Sequence, residues 1–260
     1  MLRPWFALCS LLAIVVVVPR ADASQPLETE TARTPRAHEL QMEVTFERQT
    51  SSSGRETAAP LALEYGVSDR IELLVEPVFY TSIRPRMGPG ATGMGDIEVT
   101  LTGVLRPETP HAPALATAFE VKFPTTDDPL IGTGKTDYTG YLIASKRVGR
   151  VDTHVNAGYT VLGRPAGLPL RNTFDYAAAV EWKWSPRFDL VGEVIGNTSA
   201  LPEGGSESES GGSLEVAGGE TVGMLGARVH TNAGITLALG VSYDNNQAWL
   251  VRPGVTIKMR

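Results

Sequence analysis

The stretch VDTHVNAGYTV, residues 151–161, alternates between two kinds of side chain. Its odd-numbered positions are apolar except for Thr153, whereas its even-numbered positions are Asp, His, Asn, Gly and Thr. A repeat of two residues predicts a β-strand with one apolar and one polar face. A tilted strand needs about 9–11 residues to cross a bilayer, whereas strands of soluble proteins average about 5–6 residues. The length of this stretch therefore favours a membrane β-barrel over a soluble sheet.

Runs of the same kind fill the rest of the chain. We count twelve, at 38–49, 57–65, 70–81, 95–105, 114–123, 137–147, 151–162, 172–184, 188–196, 220–230, 235–243 and 248–259. No segment after residue 23 is apolar and long enough for a transmembrane helix. We therefore predict an all-β fold: a single closed antiparallel transmembrane β-barrel of about 12 strands in up-and-down meander order.

The connections between these runs alternate in length. Tight turns are predicted at 66–69, 148–150, 185–187 and 231–234, and longer links at 82–94, 124–136, 163–171 and 197–219. Outer-membrane barrels have short periplasmic turns and long outer loops, so the alternation also predicts a periplasmic N-terminus. The 197–219 link is polar and rich in Gly and Ser, which predicts a mobile loop.

The N-terminus predicts export. Residues 1–3 include one Arg, residues 5–18 are almost entirely apolar, and residues 21–23 read Ala-Asp-Ala. This order is typical of a cleaved signal peptide, which we place at residues 1–23. An uncleaved anchor fits less well, because a spanning helix needs about 20 apolar residues. A polar N-terminal tail, residues 24–37, and the outer-membrane β-barrel, residues 38–260, would follow.

Composition narrows the chemistry that the chain can perform. The only cysteine, Cys9, lies in the predicted signal peptide, so the mature chain has no thiol for a disulfide, a metal site or a nucleophile. The net charge of −6 disfavours a nucleic-acid partner. The histidines show no metal-ligand spacing, and we expect no metal and no cofactor. The expected partners are outer-membrane lipid, the barrel-assembly machinery during biogenesis and a small-molecule solute.

The aromatic residues indicate which face meets lipid. In the 172–184 run, turning Lys183 outward would cost about 2–4 kcal/mol at the middle of the membrane, whereas turning the aromatic residues outward costs nothing. Aromatic residues also gather near the ends of the predicted strands, as in the two interfacial girdles of membrane barrels. A soluble barrel with an aromatic core is the alternative. The predicted lipid-facing girdle is Tyr65, Phe79, Phe123, Phe174, Trp184, Phe188, Tyr243 and Trp249.

The same alternation assigns polar residues to the lumen. The predicted pore lining contains Glu72, Glu76, Glu98, Glu120, Lys122, His154, Glu181, Lys183, Glu193 and Arg228. Asp152, Asp175, Asp189, Arg252 and Lys258 face the same way. Acids outnumber bases nine to five in this set, which allows two interpretations. One is a wet pore that favours neutral or cationic solutes, and the other is a network of paired charges that braces and closes the barrel.

Two other patterns suggest chemistry. Residues 132–136 resemble a phosphate-binding loop, but Pro129 stands where that motif needs Gly, and a strand follows instead of a helix. Ser145 and His154 could belong to a hydrolytic triad. They flank the 148–150 turn without a serine elbow, so we favour a hydrogen-bonded histidine in the lumen over a catalytic one, and we predict that the chain is not an enzyme.

Several segments together resemble one known family. Its features are matched by residues 63–73 (LEYGVSDRIEL), 95–97 (GDI), 121–125 (VKFPT), 134–138 (GKTDY), 145–146 (SK), 156–160 (NAGYT) and 191–193 (VGE). In order and spacing they are similar to the outer-membrane "transporter" family associated with the meta-cleavage pathway of phenol degradation. The resemblance covers about residues 55–260 and implies a twelve-stranded barrel that takes up apolar or aromatic small molecules. Arg260 departs from the aromatic residue on which such chains usually end.

Three functional hypotheses follow. The first is a passive channel or facilitator for small solutes, aromatic or apolar ones among them, with apolar solutes leaving sideways through a weakened strand near Pro77. The second is a non-conducting structural or surface-interaction barrel with a charge-paired lumen that presents the 197–219 loop to partners. The third and weakest is a lipid-modifying enzyme that depends on His154.

Overall fold

A computed structural model describes residues 26–126, 128–201 and 219–259. The predicted signal peptide, residues 1–23, most of the 197–219 loop and Arg260 lie outside the described residues. No helix within the described ranges is long and apolar enough to cross a membrane.

All regular structure in the described chain is β-strand. The strands are β1 (Leu40–Thr45), β2 (Glu47–Thr50), β3 (Gly54–Ser68), β4 (Ile71–Pro85), β5 (Ala91–Gly93), β6 (Ile97–Arg106), β7 (Ala114–Phe123), β8 (Asp137–Val148), β9 (Val151–Val161), β10 (Thr173–Ser185), β11 (Phe188–Asn197), β12 (Thr221–His230), β13 (Ile235–Asp244) and β14 (Trp249–Met259).

The strands form one closed sheet. Neighbours in sequence pair antiparallel from β6 to β14, and β1 and β2 both pair with β14 and with β3. The strands β1 and β2 are two halves of one wall strand, and the short β5 only extends the pairing of β4. The fourteen assigned strands therefore make a twelve-stranded barrel, which confirms the predicted fold class.

Two prolines inside strands coincide with breaks in this sheet. A proline cannot donate to the ladder, so it requires a bulge or a free edge. Pro253 lies opposite the gap between β1 and β2, where the Phe46 N–H still donates to the Pro253 carbonyl at 3.0 Å. Pro77 lies beside the register shift between Ala59 and Pro60 on β3. Each proline is accommodated where the pairing of a neighbouring strand is interrupted.

The barrel is apolar outside and polar inside. Leu225, Leu142 and Trp184 are 76%, 65% and 55% exposed on the outer wall. The largest fully buried side chains in the described chain include His154, Gln41 and Glu181. This distribution reverses that of a soluble domain, in which charged residues are almost never fully buried. It matches a barrel whose outer surface meets lipid.

The first residues that the structure describes lie inside the barrel. Residues 26–36, here called the inner segment, enter at the end that holds the tight turns and cross the lumen. Thr29 contacts Glu193 on β11, Ala32 contacts Ser145 on β8, and Arg33 contacts Asp152 on β9. The polar composition of the predicted N-terminal tail suits a segment surrounded by polar lumen walls.

Candidate functional site: the barrel lumen

The tip of the inner segment packs on glycines. A Cβ atom on Gly226 would lie 2.5 Å from Pro26 Cγ, and one on Gly240 would lie 2.7 Å from Pro26 Cβ. Both positions face inward on β12 and β13. The missing side chains thus create the space that Pro26 fills, and Arg252 on β14 donates to the Pro26 carbonyl at 3.3 Å.

Main-chain groups of the inner segment bind a buried carboxylate. The Glu28 N–H donates to Glu193 Oε1 at 2.9 Å, and the Thr29 N–H and hydroxyl donate to the same oxygen. Asn156 binds the main chain of Glu30 in a similar way. With the amide oriented to satisfy both groups, the side-chain oxygen of Asn156 accepts the Glu30 N–H at 2.7 Å and its nitrogen donates to the Glu30 carbonyl at 3.0 Å. Such contacts satisfy backbone groups that are out of reach of other strands.

Ser145 and His154 meet beneath the inner segment. They are direct partners across the β8–β9 hairpin, with Ser145 Oγ 2.8 Å from His154 Nδ1. The Ala32 N–H donates to Ser145 Oγ at 2.8 Å, so the hydroxyl can donate its own proton to the histidine. Each of the two side chains is 1% exposed. The pair therefore anchors the segment, and a substrate has no access to the hydroxyl while the segment is in place.

A buried ion pair adjoins this histidine. Arg228 on β12 donates to both carboxylate oxygens of Glu181 on β10, at 3.0 and 3.3 Å. His154 Nε2 lies 3.5 Å from Glu181 Oε1. Arg228 is 2% and Glu181 1% exposed, so each charge depends on the other for compensation.

A second group of charges fixes the other end of the inner segment. Arg33 reaches Asp152 Oδ1 at 2.9 Å and Glu108 Oε2 at 2.7 Å, and Arg147 reaches Asp152 Oδ2 at 2.6 Å. Lys146 Nζ lies 3.1 Å from Glu108 Oε1. We call these five residues the clasp, because they tie the inner segment to the β6–β7 and β8–β9 turns.

The clasp is expected to open in acid. Burial raises the pKa of Glu108, but hydrogen bonds from Arg33, from the Arg147 N–H and from Lys146 outweigh it and lower the pKa from 4.5 to about 2. Because the pKa of Glu108 is lowered in the closed clasp, its carboxylate stabilises that closed state in full at every pH above its ordinary pKa. That stabilisation is lost as the pH falls from 4.5 toward about 2. A fluorophore on an Arg36→Cys variant should therefore become more mobile across this window.

The contribution of Glu108 can be isolated by substitution. In Glu108→Gln the label should already be mobile at neutral pH and should respond less to acid. His111→Gln, in the same turn and exposed, serves as the control and should behave like the parent protein. Identical pH profiles for the parent and Glu108→Gln would contradict the assignment.

The predicted girdle residues lie on the outer wall. Seven of the eight are well exposed, and Phe188 is half-buried. Tyr243 and Trp249 pack together across the β13–β14 hairpin with ring centroids 4.7 Å apart. Their partly apolar, partly polar rings suit the headgroup region of a bilayer.

The predicted pore-lining residues all face inward but divide into two groups. His154, Glu181, Glu193 and Arg228 are buried and bound by one another or by the inner segment, and Lys183 pairs in register with Asp189 near the tight turns. The second group lines an open space in the lumen, on strands β4, β6 and β7. It consists of Glu72, Glu76, Glu98, Glu120 and Lys122.

That space is a cavity of about 730 Å³. Residues 27–31 of the inner segment form part of its wall, and Thr133, Leu170 and Ala200 in the outer loops form another part. Two cations line it. Lys122 is bound by Asp137 and lies 3.7 Å from Asp96, and Arg252 is bound by Glu28 and lies 2.8 Å from Glu47.

Several functional residues escape the sequence pattern. Glu28, Glu30 and Arg33 belong to the inner segment, which has no period that predicts its position. Gln41 and Glu64 face inward on β1 and β3, and the alternation of their strands does assign them to the lumen. Their proximity to each other depends on the β1–β3 pairing.

Comparison with known proteins supports the fold. An outer membrane channel from Pseudomonas putida F1 has a TM-score of 0.64 with 12% identity, over 92% of this chain and 100% of that chain. The NanC porin gives 0.60 with 12% identity, over 84% and 100%. A KdgM porin in complex with disordered oligogalacturonate gives 0.55 with 9% identity, over 84% and 99%. No family model and no curated relative matches the chain. At these identities the similarity shows the barrel architecture alone.

Proposed function

We propose that this chain is an outer-membrane channel or facilitator for small solutes, aromatic and apolar ones among them. The observation that carries the proposal is the lumen cavity of about 730 Å³, which has the size of a small-molecule site. The apolar outer wall with its aromatic girdle supports location in the outer membrane, reached by way of the predicted signal peptide. The resemblance to the meta-cleavage family supports an aromatic solute.

The route for an apolar solute leads through the wall. The axial path is crossed by the inner segment and lined with charges, which disfavour an apolar molecule. On the wall, the β3–β4 ladder skips residues 61 and 62 next to Pro60, and Pro77 faces this gap on β4. Pro60, Ala62 and Glu76 also line the cavity. A solute in the cavity therefore lies next to an interruption in the pairing of the wall.

Closing this seam should stop apolar uptake. Leu63 and Val75 are direct partners just below the gap, so a Leu63→Cys/Val75→Cys variant can form a disulfide across it. The oxidised variant should take up toluene at a rate reduced by roughly tenfold, if the seam is the main exit. Reduction should restore the rate. Uptake would be measured with radiolabelled toluene in whole cells.

A matched cross-link tests the specificity of that effect. Thr153 and Val180 are direct partners on the uninterrupted β9–β10 ladder, so Thr153→Cys/Val180→Cys places the same disulfide elsewhere on the wall. The control should transport toluene normally. Equal inhibition by both cross-links, or by neither, would contradict a lateral exit at Pro77.

A non-conducting barrel is the second candidate. It is favoured by the paired charges around Glu181 and Asp152 and by the inner segment that they hold. Planar-bilayer conductance and liposome swelling with purified protein separate the two proposals. A channel gives discrete openings and swelling in at least one small solute, whereas silence with every solute would favour the closed barrel.

We infer that the Ser145–His154 pair has a structural role. Hydrolysis would require access to the serine hydroxyl, and the Ala32 main chain occupies that position. His154→Ala should therefore loosen the inner segment. Any lipase activity measured with the parent protein should persist in this variant. Loss of a lipase activity present in the parent protein would argue for an enzyme.

A further inference from the structure

One side of the lumen cavity is a wall of carboxylates. Its members face the cavity from the wall strands β3, β4 and β7, with β6 between the last two, and from the inner segment. We call this set the carboxylate wall: Glu30, Glu64, Glu72, Glu76 and Glu120. Within the part of the chain that the structure describes, none of the five forms an ion pair with Lys, Arg or His.

The register brings these like charges close together. Glu64 on β3 lies opposite Leu74, so Glu72 and Glu76 on β4 flank it, and Glu76 lies directly opposite Glu98 on β6. Glu30 is close enough to interact electrostatically with Glu72, Glu76 and Glu120. Like charges directly opposite each other in a sheet are destabilising. The wall therefore favours binding of a positive group.

Two unsatisfied buried groups adjoin the wall and indicate the kind of ligand. Gln41 donates to Glu64 Oε1 at 2.8 Å, which holds its amide among the carboxylates, yet its Oε1 has no partner. Thr102 lies directly opposite Glu72, and its Oγ1 also has no partner. These side chains are 1% and 2% exposed. Neither side chain lines the cavity, but a buried acceptor without a donor is costly, so the surroundings of the wall favour a ligand head that carries N–H donors.

The charge required is that of an ammonium group. An ammonium offers three donors and no acceptor, which complements carboxylates and unsatisfied oxygens. A metal ion fits less well, because no group of three ligating side chains converges in the described ranges. The two cations that line the cavity, Lys122 and Arg252, are already bound to other carboxylates.

Part of the far side of the cavity is apolar, although Asp175, Asn197 and Glu220 also lie on that side. Leu162 and Leu170 from the β9–β10 connection, Ile195 on β11 and Val222 on β12 line it, together with Leu27 of the inner segment. In the order of the sheet, β11 and β12 lie across the barrel from β3 and β4. A bound molecule would therefore contact carboxylates at one end and aliphatic side chains at the other.

We propose that the cavity selects small amphipathic amines, binding the ammonium at the carboxylate wall and the alkyl or aromatic body against Leu170, Ile195 and Val222. The inference deepens the proposed channel function and rests on the cavity being its solute site. It names a solute class, an organic cation with an apolar body.

Calorimetry with three matched solutes tests the proposal. 2-Phenylethylamine, 2-phenylethanol and phenylacetate share one aromatic body and carry a positive, a neutral and a negative head at neutral pH. With the parent protein in detergent, the amine should bind about tenfold or more tightly than the alcohol, because charge-assisted hydrogen bonds are the strong ones. Phenylacetate should bind most weakly. Equal binding of amine and alcohol, or no binding of the amine, would overturn the proposal without any variant.

Substitution then locates the site. Glu64→Gln/Glu72→Gln should lower amine affinity by about tenfold and leave the affinity for the alcohol unchanged. Glu56→Gln removes one charge from the same strand, β3, outside the cavity lining, and should bind like the parent. Unchanged amine affinity in a folded double variant would also overturn the proposal.

Liposome swelling keeps the two proposals apart. If the channel function fails, liposomes stay closed to every solute, while calorimetry still reports whether the amine is preferred. If only the amine site fails, the liposomes swell but calorimetry shows no preference among the three solutes.

Discussion

Deletion of residues 26–36 is expected to raise the single-channel conductance of the barrel severalfold. The deleted residues cross the lumen and occupy space that a twelve-stranded barrel otherwise leaves open, and pore width controls ion flow. Their anchors lie on three different strands, at Ser145 on β8, Asp152 on β9 and Glu193 on β11, so no single neighbour can take their place. The measurement is single-channel recording in planar bilayers, combined with swelling in sugars of increasing size.

A replacement of equal length separates blockage from anchoring. If residues 26–36 are exchanged for alternating Gly and Ser, the chain keeps its length but loses Arg33 and the proline tip, so conductance should become noisy and intermediate. Arg36→Lys changes an exposed residue of the segment, keeps its positive charge and should conduct like the parent. Parent-like conductance after the deletion would show that the inner segment does not limit flow.

The strand pattern can be predicted because it depends on local alternation. Trp182, Trp184 and Val180 must face lipid if Glu181 and Lys183 are to avoid it, and a one-residue slip would reverse all five. The hairpin register is also accessible from sequence. A two-residue turn at 149–150 pairs Val148 with Val151, and continuing the ladder brings Ser145 opposite His154. The contact between serine and histidine therefore follows from the turn length alone.

The position of the inner segment cannot be predicted from such an alternation. Its residues have no repeat, because their contacts are distributed over several strands of the lumen wall. Glu193 and Asn156, which bind its main chain, are polar for the same reason as any other lumen residue. Sequence distances of 164 and 113 residues separate Thr29 from Glu193 and Ala32 from Ser145. Only closure of the barrel brings them together.

The pairing of the lumen charges is equally inaccessible from the sequence. Alternation assigns Glu72, Glu120 and Glu181 to the interior, but it does not predict which of them forms an ion pair with a basic residue. Glu181 meets Arg228 two strands away, across Val191 of β11, which is the direct partner of Glu181 in the ladder. Glu72 and Glu120 meet other carboxylates instead. Paired charges thus surround Glu181 on one side of the barrel, whereas Glu72 and Glu120 line the cavity on the other.

Arg228→Met is expected to lower the free energy of unfolding by about 3–5 kcal/mol, because removing one partner of a buried ion pair leaves the other charge uncompensated. Among the described residues, Glu181 would then keep His154, at 3.5 Å, as a potential cation. Unfolding in guanidinium chloride with the protein in detergent micelles measures the effect, followed by tryptophan fluorescence. Trp182 and Trp184 lie on the same strand as Glu181 and report its loss of structure.

A double variant identifies the buried charge as the cause. Arg228→Met/Glu181→Leu removes both charges and should recover most of the stability, since an apolar pair of similar size often equals or exceeds a buried ion pair. Arg187→Met removes an exposed arginine at the β10–β11 turn and should change stability by no more than about 0.5 kcal/mol. If the double variant is as unstable as Arg228→Met, the loss arises from packing around the arginine stem, and Glu181 does not need a cation.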